Sequence, residues 1–329
     1  MQTDNNKGEW GMDIAKIIFE TLDKFCDKSQ NNAVVFDGAD KIFVKTDVVY
    51  NTRIPEPCVL DYYKPDGEGP FPVIFYIHGG GFMAGDKDYR KALGTWFALQ
   101  GFFAINVNYG LSPDYVFPKP VKHLFSALNW VVRNAEKLNL DLEKITVAGD
   151  SAGAYYALVM ACVSENENLQ KMLSVNPKVS FVASILNCGI YDIKKALDGK
   201  FLFDLNKKVF QATTGITDKE YLKYKYRQFC SPINFVTRAY PPTFLFYAEK
   251  DLLCKGQAEE LIERFDENDI YFESFCSTSV LDNHCFSLDW KNKTAQAGNR
   301  MLEDFLLKLK NGDLPRRQSE TTIYIRGKK

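Results

Sequence analysis

Six short apolar runs, at residues 73–77, 102–108, 145–148, 182–186, 243–248 and 271–276, punctuate this chain, with helical patterns between most of them. A strand followed by a helix cannot pair with the next strand through a tight turn. The helix carries the chain back along one face of the sheet, so the strands come out parallel. Runs that are apolar at nearly every position belong to strands covered on both faces. The pattern predicts an α/β chain with a mainly parallel central sheet and helices on both faces. Two earlier segments, 41–50 and 58–63, also read as strands and are joined through Pro55 and Pro57, which predicts an antiparallel start to the sheet. Ahead of them, Ile14, Ile17, Ile18, Leu22 and Phe25 recur at helical spacing, predicting an amphipathic helix over 12–26.

Sheets of this kind bind ligands at the carboxyl ends of their strands. Directly after the run 145–148 stands Gly149-Asp150-Ser151-Ala152-Gly153, and directly after that the helix-prone run 154–162. A G-x-S-x-G between strand and helix forms a nucleophile elbow, with the serine Oγ standing clear of the sheet edge. After the run 73–77 comes His78-Gly79-Gly80-Gly81-Phe82. Three consecutive glycines let backbone N–H groups converge on a cavity, where they can hold the oxyanion of a tetrahedral acyl intermediate. A phosphate loop would need a helix start and a lysine or the G-x-G-x-x-G spacing, and neither is present.

The chain has three histidines, so the search for a general base is short. His78 opens the glycine loop and braces it. His123 lies in the helical pattern 117–133 and reads as a packing or helix-surface residue. His284, in Asp282-Asn283-His284-Cys285-Phe286, follows a strand and precedes the last helix, which fits the base. The orienting acid belongs between nucleophile and base in chain order. Asp251 is the choice, just after the run 243–248, with Glu249 as its competitor.

These residues resemble the hormone-sensitive-lipase-like branch of the α/β-hydrolase esterases, over roughly residues 73–306. HGGGF is similar to that family's oxyanion motif and GDSAG to its elbow. Asp251-Leu252 resembles the Asp-Pro-Leu acid loop, and His284-Cys285-Phe286 resembles His-Gly-Phe with cysteine in place of glycine. Tyr109-Gly110-Leu111-Ser112-Pro113-Asp114 is similar to Tyr-Arg-Leu-Ala-Pro-Glu without its arginine, and His123 stands where an aspartate is usual. Losing both partners of such a pair together would leave no orphan charge. After the elbow, Ala154-Tyr155-Tyr156 replaces Gly-Asn-Leu. The resemblance implies an α/β-hydrolase fold with a helical cap. The cap is expected from about 1–40 and from 194–231, an aromatic-rich stretch that interrupts the alternation.

Bulk properties are consistent with one domain over 1–329, carrying a loosely ordered tail at 311–329. A net charge of −1 offers no basic field for nucleic acid or an anionic membrane. The polar amino terminus shows no signal peptide, and no apolar run reaches the roughly 20 residues of a membrane span. Eight cysteines are scattered without C-x-x-C spacing, which points to a reducing cytoplasm and against a zinc site. Cys254 and Cys285 are candidates for oxidation, inert small residues being the simpler reading.

The resulting expectation is a serine carboxylesterase acting on small, short-chain acyl esters, with Ser151 as nucleophile, His284 as base and Asp251 as its orienting acid. The amides of Gly80, Gly81 and Ala152 would form the oxyanion hole. Phe82, Tyr155 and Tyr156 would contact substrate, at least one tyrosine narrowing the acyl site. No metal or cofactor is expected, and a homodimer is compatible with the reading. The alternatives are an amide hydrolase, formamidase- or peptidase-like, on the same triad, and a non-catalytic ligand-binding relative.

Overall fold

A computed structural model describes residues 14–24, 28, 36–54, 57–198 and 204–319. Helix α1, described over residues 14–24, comes first. The order then runs β1 (Phe43–Val49), β2 (Val59–Lys64), β3 (Phe71–Ile77), α2 (Lys91–Leu99), β4 (Phe103–Val107), α3 (Lys119–Leu138) and β5 (Leu140–Asp150). It continues through α4 (Ala152–Ser164), α5 (Glu167–Leu173), β6 (Ala183–Asn187), α6 (Ile193–Asp198) and α7 (Leu205–Thr214). Strand β7 (Thr243–Ala248), α8 (Gln257–Glu267), β8 (Phe272–Ser277) and α9 (Lys293–Asn311) complete it.

The eight strands form one sheet in the order β1-β2-β4-β3-β5-β6-β7-β8. Strands β1 and β2 are antiparallel to each other, and β2 is antiparallel to β4; every other pairing is parallel. This is the expected sheet with its antiparallel start. Successive side chains on a strand face opposite ways, so each inner strand feeds two cores. On β3, Val73, Phe75 and Ile77 pack with Leu124 and Leu128 of α3 and Leu261 and Phe265 of α8. Ile74 and Tyr76 pack on the other face with Trp96 and Phe97 of α2 and Leu302 and Phe305 of α9. Strand β5 is longer than its apolar run, starting at Leu140, because Phe71 and Pro72 pair with Leu140 and Asp141 before a register shift.

Helix α1 forms where expected but buries a different face. Ala15, Phe19 and Asp23 point inward, whereas Ile14 and Ile17 are 53% and 60% exposed. A pattern of apolar residues cannot show that an aspartate has a buried cation waiting for it. The remainder of the expected 12–26 helix, Phe25 included, lies outside the described residues, as do Phe201, Phe203 and the segment 320–329. Two residues of the tail, Arg316 and Ser319, make contacts with the body of the fold. Tyr271 N–H donates to Arg316 O at 3.2 Å, and Ser319 donates to both carboxylate oxygens of Asp269. No helix among the described residues is long and apolar enough to cross a membrane.

Leu128 is fully buried between α3 and the sheet. Leu128→Ala leaves a cavity that close-packed neighbours cannot fill, so stability is expected to fall by about 2–5 kcal/mol in urea denaturation. A loss under about 1 kcal/mol would show that this core relaxes freely around the gap.

Candidate active site

Strand β5 ends at Asp150 and α4 begins at Ala152, so Ser151 alone makes the turn, with φ 54° and ψ −119°. Positive φ is unfavourable for a residue with a Cβ, and the surroundings hold it there. Its N–H donates to Asn187 O at 2.9 Å, at the end of β6. The motif glycines answer to close approach: a Cβ on Gly153 would lie 2.0 Å from the carbonyl oxygen of Ile77, and one on Gly149 would lie 2.5 Å from the Gly153 carbonyl carbon.

Ser151 Oγ lies 2.8 Å from His284 Nε2, and His284 Nδ1 lies 2.9 Å from Asp251 Oδ2. Asp251 Oδ1 accepts the N–H groups of Leu253 and Cys254, both at 2.8 Å, which fixes the carboxylate against the imidazole. Asn283 Oδ1 accepts from Leu252 N–H at 3.0 Å and His284 N–H at 2.8 Å, stitching the acid loop to the histidine loop. Glu249, the competing acid, is exposed. Burial alone would depress the His284 pKa; the Asp251 carboxylate overrides it and holds the imidazole well above its usual range. Asp251 is pushed up by burial and pulled down further by His284, ending below the usual carboxylate range. With Nδ1–H donating to Asp251, Nε2 presents its lone pair to the serine hydroxyl.

The other two histidines have structural partners. His78 stacks on Tyr109 with ring centroids 4.6 Å apart, and Tyr109 Oη donates to the His78 carbonyl at 2.8 Å. His123 Nδ1 accepts the Gly110 N–H at 3.1 Å. Burial, with Lys119 nearby, pushes its pKa down to about 4, so the contact is neutral. Gly110 and His123, two of the positions that depart from the resembled family, therefore touch each other and leave no unpaired charge.

The glycine loop meets the elbow through Asp150, whose importance the sequence reading missed. Its carboxylate accepts from Arg90 Nε at 2.9 Å and Arg90 Nη2 at 2.7 Å, from Tyr76 Oη at 2.7 Å and from Gly79 N–H at 3.1 Å. Burial opposes its ionisation, but the Arg90 guanidinium outweighs it and lowers the pKa. Arg90 Nη2 also reaches Asp23 Oδ1 on α1 at 3.1 Å. Past Gly79, Gly80 and Gly81 take φ of 115° and 60°. No acceptor among the described residues takes the N–H of Gly80, Gly81 or Ala152.

Two cavities meet at Ser151. An apolar one of about 40 Å³ is bounded by Gly81, Phe82 and Ala152 below and by Phe19 of α1, Ile193 of α6 and Val209 of α7 above. A larger cleft of about 450 Å³ opens past His284 and Gly80. Phe82 lines the apolar cavity, whereas Tyr155 and Tyr156 line neither. Both are buried behind Phe82, which meets each ring edge to face, and Tyr155 Oη donates to the Phe229 carbonyl at 2.7 Å. The expectation that one tyrosine would face substrate assumed an open side to α4; the helix is instead buried all round.

Two groups of side chains around His284 have metal-ligand spacing, Cys188 with His284 and Cys285, and Asp251 with Cys254 and His284. The resembled family's glycine at position 285 has a local reason, since Cys285 takes φ 55°.

Residues 60–265, more than half of the chain, match the model of the family described as BD-FAE. An acetyl esterase of Salmonella schwarzengrund (strain CVM19633) is 26% identical over 186 residues, covering 55% of each protein. The chain thus spans about half the length of the curated relatives it matches. Among solved structures, esterase B from Lactobacillus rhamnosis superposes with a TM-score of 0.78 at 20% identity, over 94% of this chain and 98% of that one. A bacterial heroin esterase superposes with a TM-score of 0.68 at 21% identity, over 92% of each. These likenesses establish the α/β-hydrolase fold.

Arg90 is buried between two carboxylates, so removing its charge strands both of them. Arg90→Met is expected to cost about 3–5 kcal/mol of stability. Denaturation within about 1 kcal/mol of the parent would mean that water or protonation compensates the pair at little cost.

Proposed function

The chain belongs to the BD-FAE family, and on that premise we propose that it is a serine carboxylesterase acting on small esters of short acyl chains. The observation that carries the reading is the continuous hydrogen-bonded line Ser151–His284–Asp251 beside a glycine loop whose Gly80 and Gly81 amides meet no acceptor among the described residues. Ser151 Oγ attacks the ester carbonyl while His284 Nε2 takes its proton, and the amides of Gly80, Gly81 and Ala152 receive the oxyanion. Each such donor is typically worth about 3–4 kcal/mol of barrier. His284 then protonates the leaving alcohol, and water clears the acyl-enzyme by the same route.

That division of labour assigns the cavities. The leaving alcohol must sit on the His284 side, which is the open cleft, so the acyl group enters the apolar cavity beside Gly81 and Ala152. Its roof is α1, α6 and α7, acting as the cap. A space of about 40 Å³ suits a short acyl chain. Each further methylene that stays outside forgoes about 0.8 kcal/mol of burial. The acetyl esterase relative supports the same class. A cytoplasmic location is supported by seven described cysteines, none in a disulfide.

Three measurements test the reading. Ser151→Ala and His284→Ala are each expected to abolish ester hydrolysis with the fold intact, because members of a triad act as a unit; near-parental turnover by folded Ser151→Ala would end the proposal. Acetyl, butyryl, octanoyl and palmitoyl esters of one alcohol, with matched amides, should show a maximum at about two to six carbons and slower amides. A maximum at octanoyl or beyond contradicts the acyl assignment. In pH profiles only neutral His284 can accept the serine proton, and its pKa is raised. kcat/KM should therefore climb with pH through a midpoint above the ordinary histidine value of about 6.5. Asp251→Asn should lower both the rate and that midpoint. A parental midpoint below the ordinary value would show that Asp251 does not control the imidazole.

A further inference from the structure

Three of the chain's eight cysteines converge on one histidine. We propose that Cys188, Cys285 and His284 form a site for one thiophilic d10 cation, of which Zn2+ is the common example, and that its occupancy switches off the esterase by removing His284 from the serine. The regulatory half of this proposal rests on the function proposed above; the site itself does not.

The three ligand atoms lie within 4.8 Å of one another. Tetrahedral zinc, with bonds of about 2.3 Å to sulfur and 2.0–2.1 Å to nitrogen, needs separations of about 3.6–3.8 Å, so a contraction of about 1 Å suffices. Cys188 follows β6, whereas His284 and Cys285 come from the loop after β8, so the set is assembled by the sheet edge. That is why the absence of C-x-x-C spacing, which argued against zinc in the sequence, did not detect it. Both cysteines hold φ in the left-handed region, 47° and 55°, where glycine would fit with less strain. Two thiols therefore occupy positions that the backbone disfavours for any side chain, both beside the same imidazole. Access is provided, since His284 and Cys285 line the open cleft.

The electronic arrangement also suits a metal. His284 Nδ1 is engaged by Asp251, so a metal would take Nε2 in place of the Ser151 hydroxyl, and a carboxylate behind a ligating histidine is the usual outer partner of such a site. Binding would form two Zn–S bonds and one Zn–N bond, release two thiol protons to solvent and leave a neutral site open to water. No electrons change hands. The lone pair that accepts the Ser151 hydroxyl hydrogen is then committed to the metal. The second group, Asp251 with Cys254 and His284, shares the histidine but would need the Asp251–His284 hydrogen bond to break.

The test uses the full chain, stripped of metal by a chelator and dialysed. Titration with Cd2+ alone should produce a thiolate-to-metal charge-transfer band saturating at one equivalent. Zn2+ should inhibit aryl-ester hydrolysis and be reversed by the chelator. Cys188→Ser and Cys285→Gly, the latter matched to its backbone, should each raise the half-inhibiting Zn2+ concentration at least about tenfold and weaken the Cd2+ band. Cys254→Ser should leave both unchanged. The proposal is overturned by no band in the parent, by a band surviving both substitutions, or by loss of the band in Cys254→Ser alone. A one-equivalent band in a protein without esterase activity would refute the function while leaving the metal site standing. Esterase activity without the band would do the reverse.

Discussion

Four hydrogen bonds from three residues converge on the carboxylate of Asp150, and the site is organised by that convergence. Arg90 grips both oxygens, Tyr76 reaches across from the neighbouring strand, and Gly79 sends its N–H from the glycine loop. One buried negative charge thus fixes the elbow, the glycine loop and the guanidinium relative to each other. Arg90 extends the arrangement to Asp23, locking α1 onto the loop from above. A buried ion pair seldom adds net stability, because desolvation consumes most of the attraction. Its value here is positional: alternatives that separate any of these parts leave an unpaired charge away from water.

How much of this was legible in the sequence depended on the range of the interaction involved. The inner strands were readable because burial on both faces demands apolar residues at every position, a local signature. The elbow and the glycine loop were readable because their chemistry is confined to five consecutive residues each. His284 and Asp251 followed from the small number of histidines and from their places after strands. The Asp150–Arg90–Asp23 network was not readable, since it joins positions 60 or more residues apart with nothing to link them in the chain. The same blindness hid the burial of Phe19 and Asp23 on α1, the inward packing of Tyr155 and Tyr156, and the gathering of cysteines around His284. In each case the deciding partner arrives from another element.

The pairing of Gly110 with His123 shows a third situation, in which two local oddities make sense only together. Each departs from the resembled family, yet the imidazole nitrogen accepts the glycine N–H and carries no charge when it does. A polar contact has taken a position where an ion pair would otherwise be expected. The surrounding packing, with Tyr115 edge-on to the His123 ring, closes the space.

The apolar cavity beside Ser151 is lined on one side by a single excursion, α6 and α7, together with α1, and on the other by the sheet's own loops. On the proposed assignment, reactivity and selectivity are written in different parts of the polypeptide. Drift or deliberate exchange of the segment between β6 and β7 can recut the chamber without disturbing the charge network that aligns the serine. A scaffold divided in this way leaves the shape of the chamber and the placement of Ser151 free to vary separately.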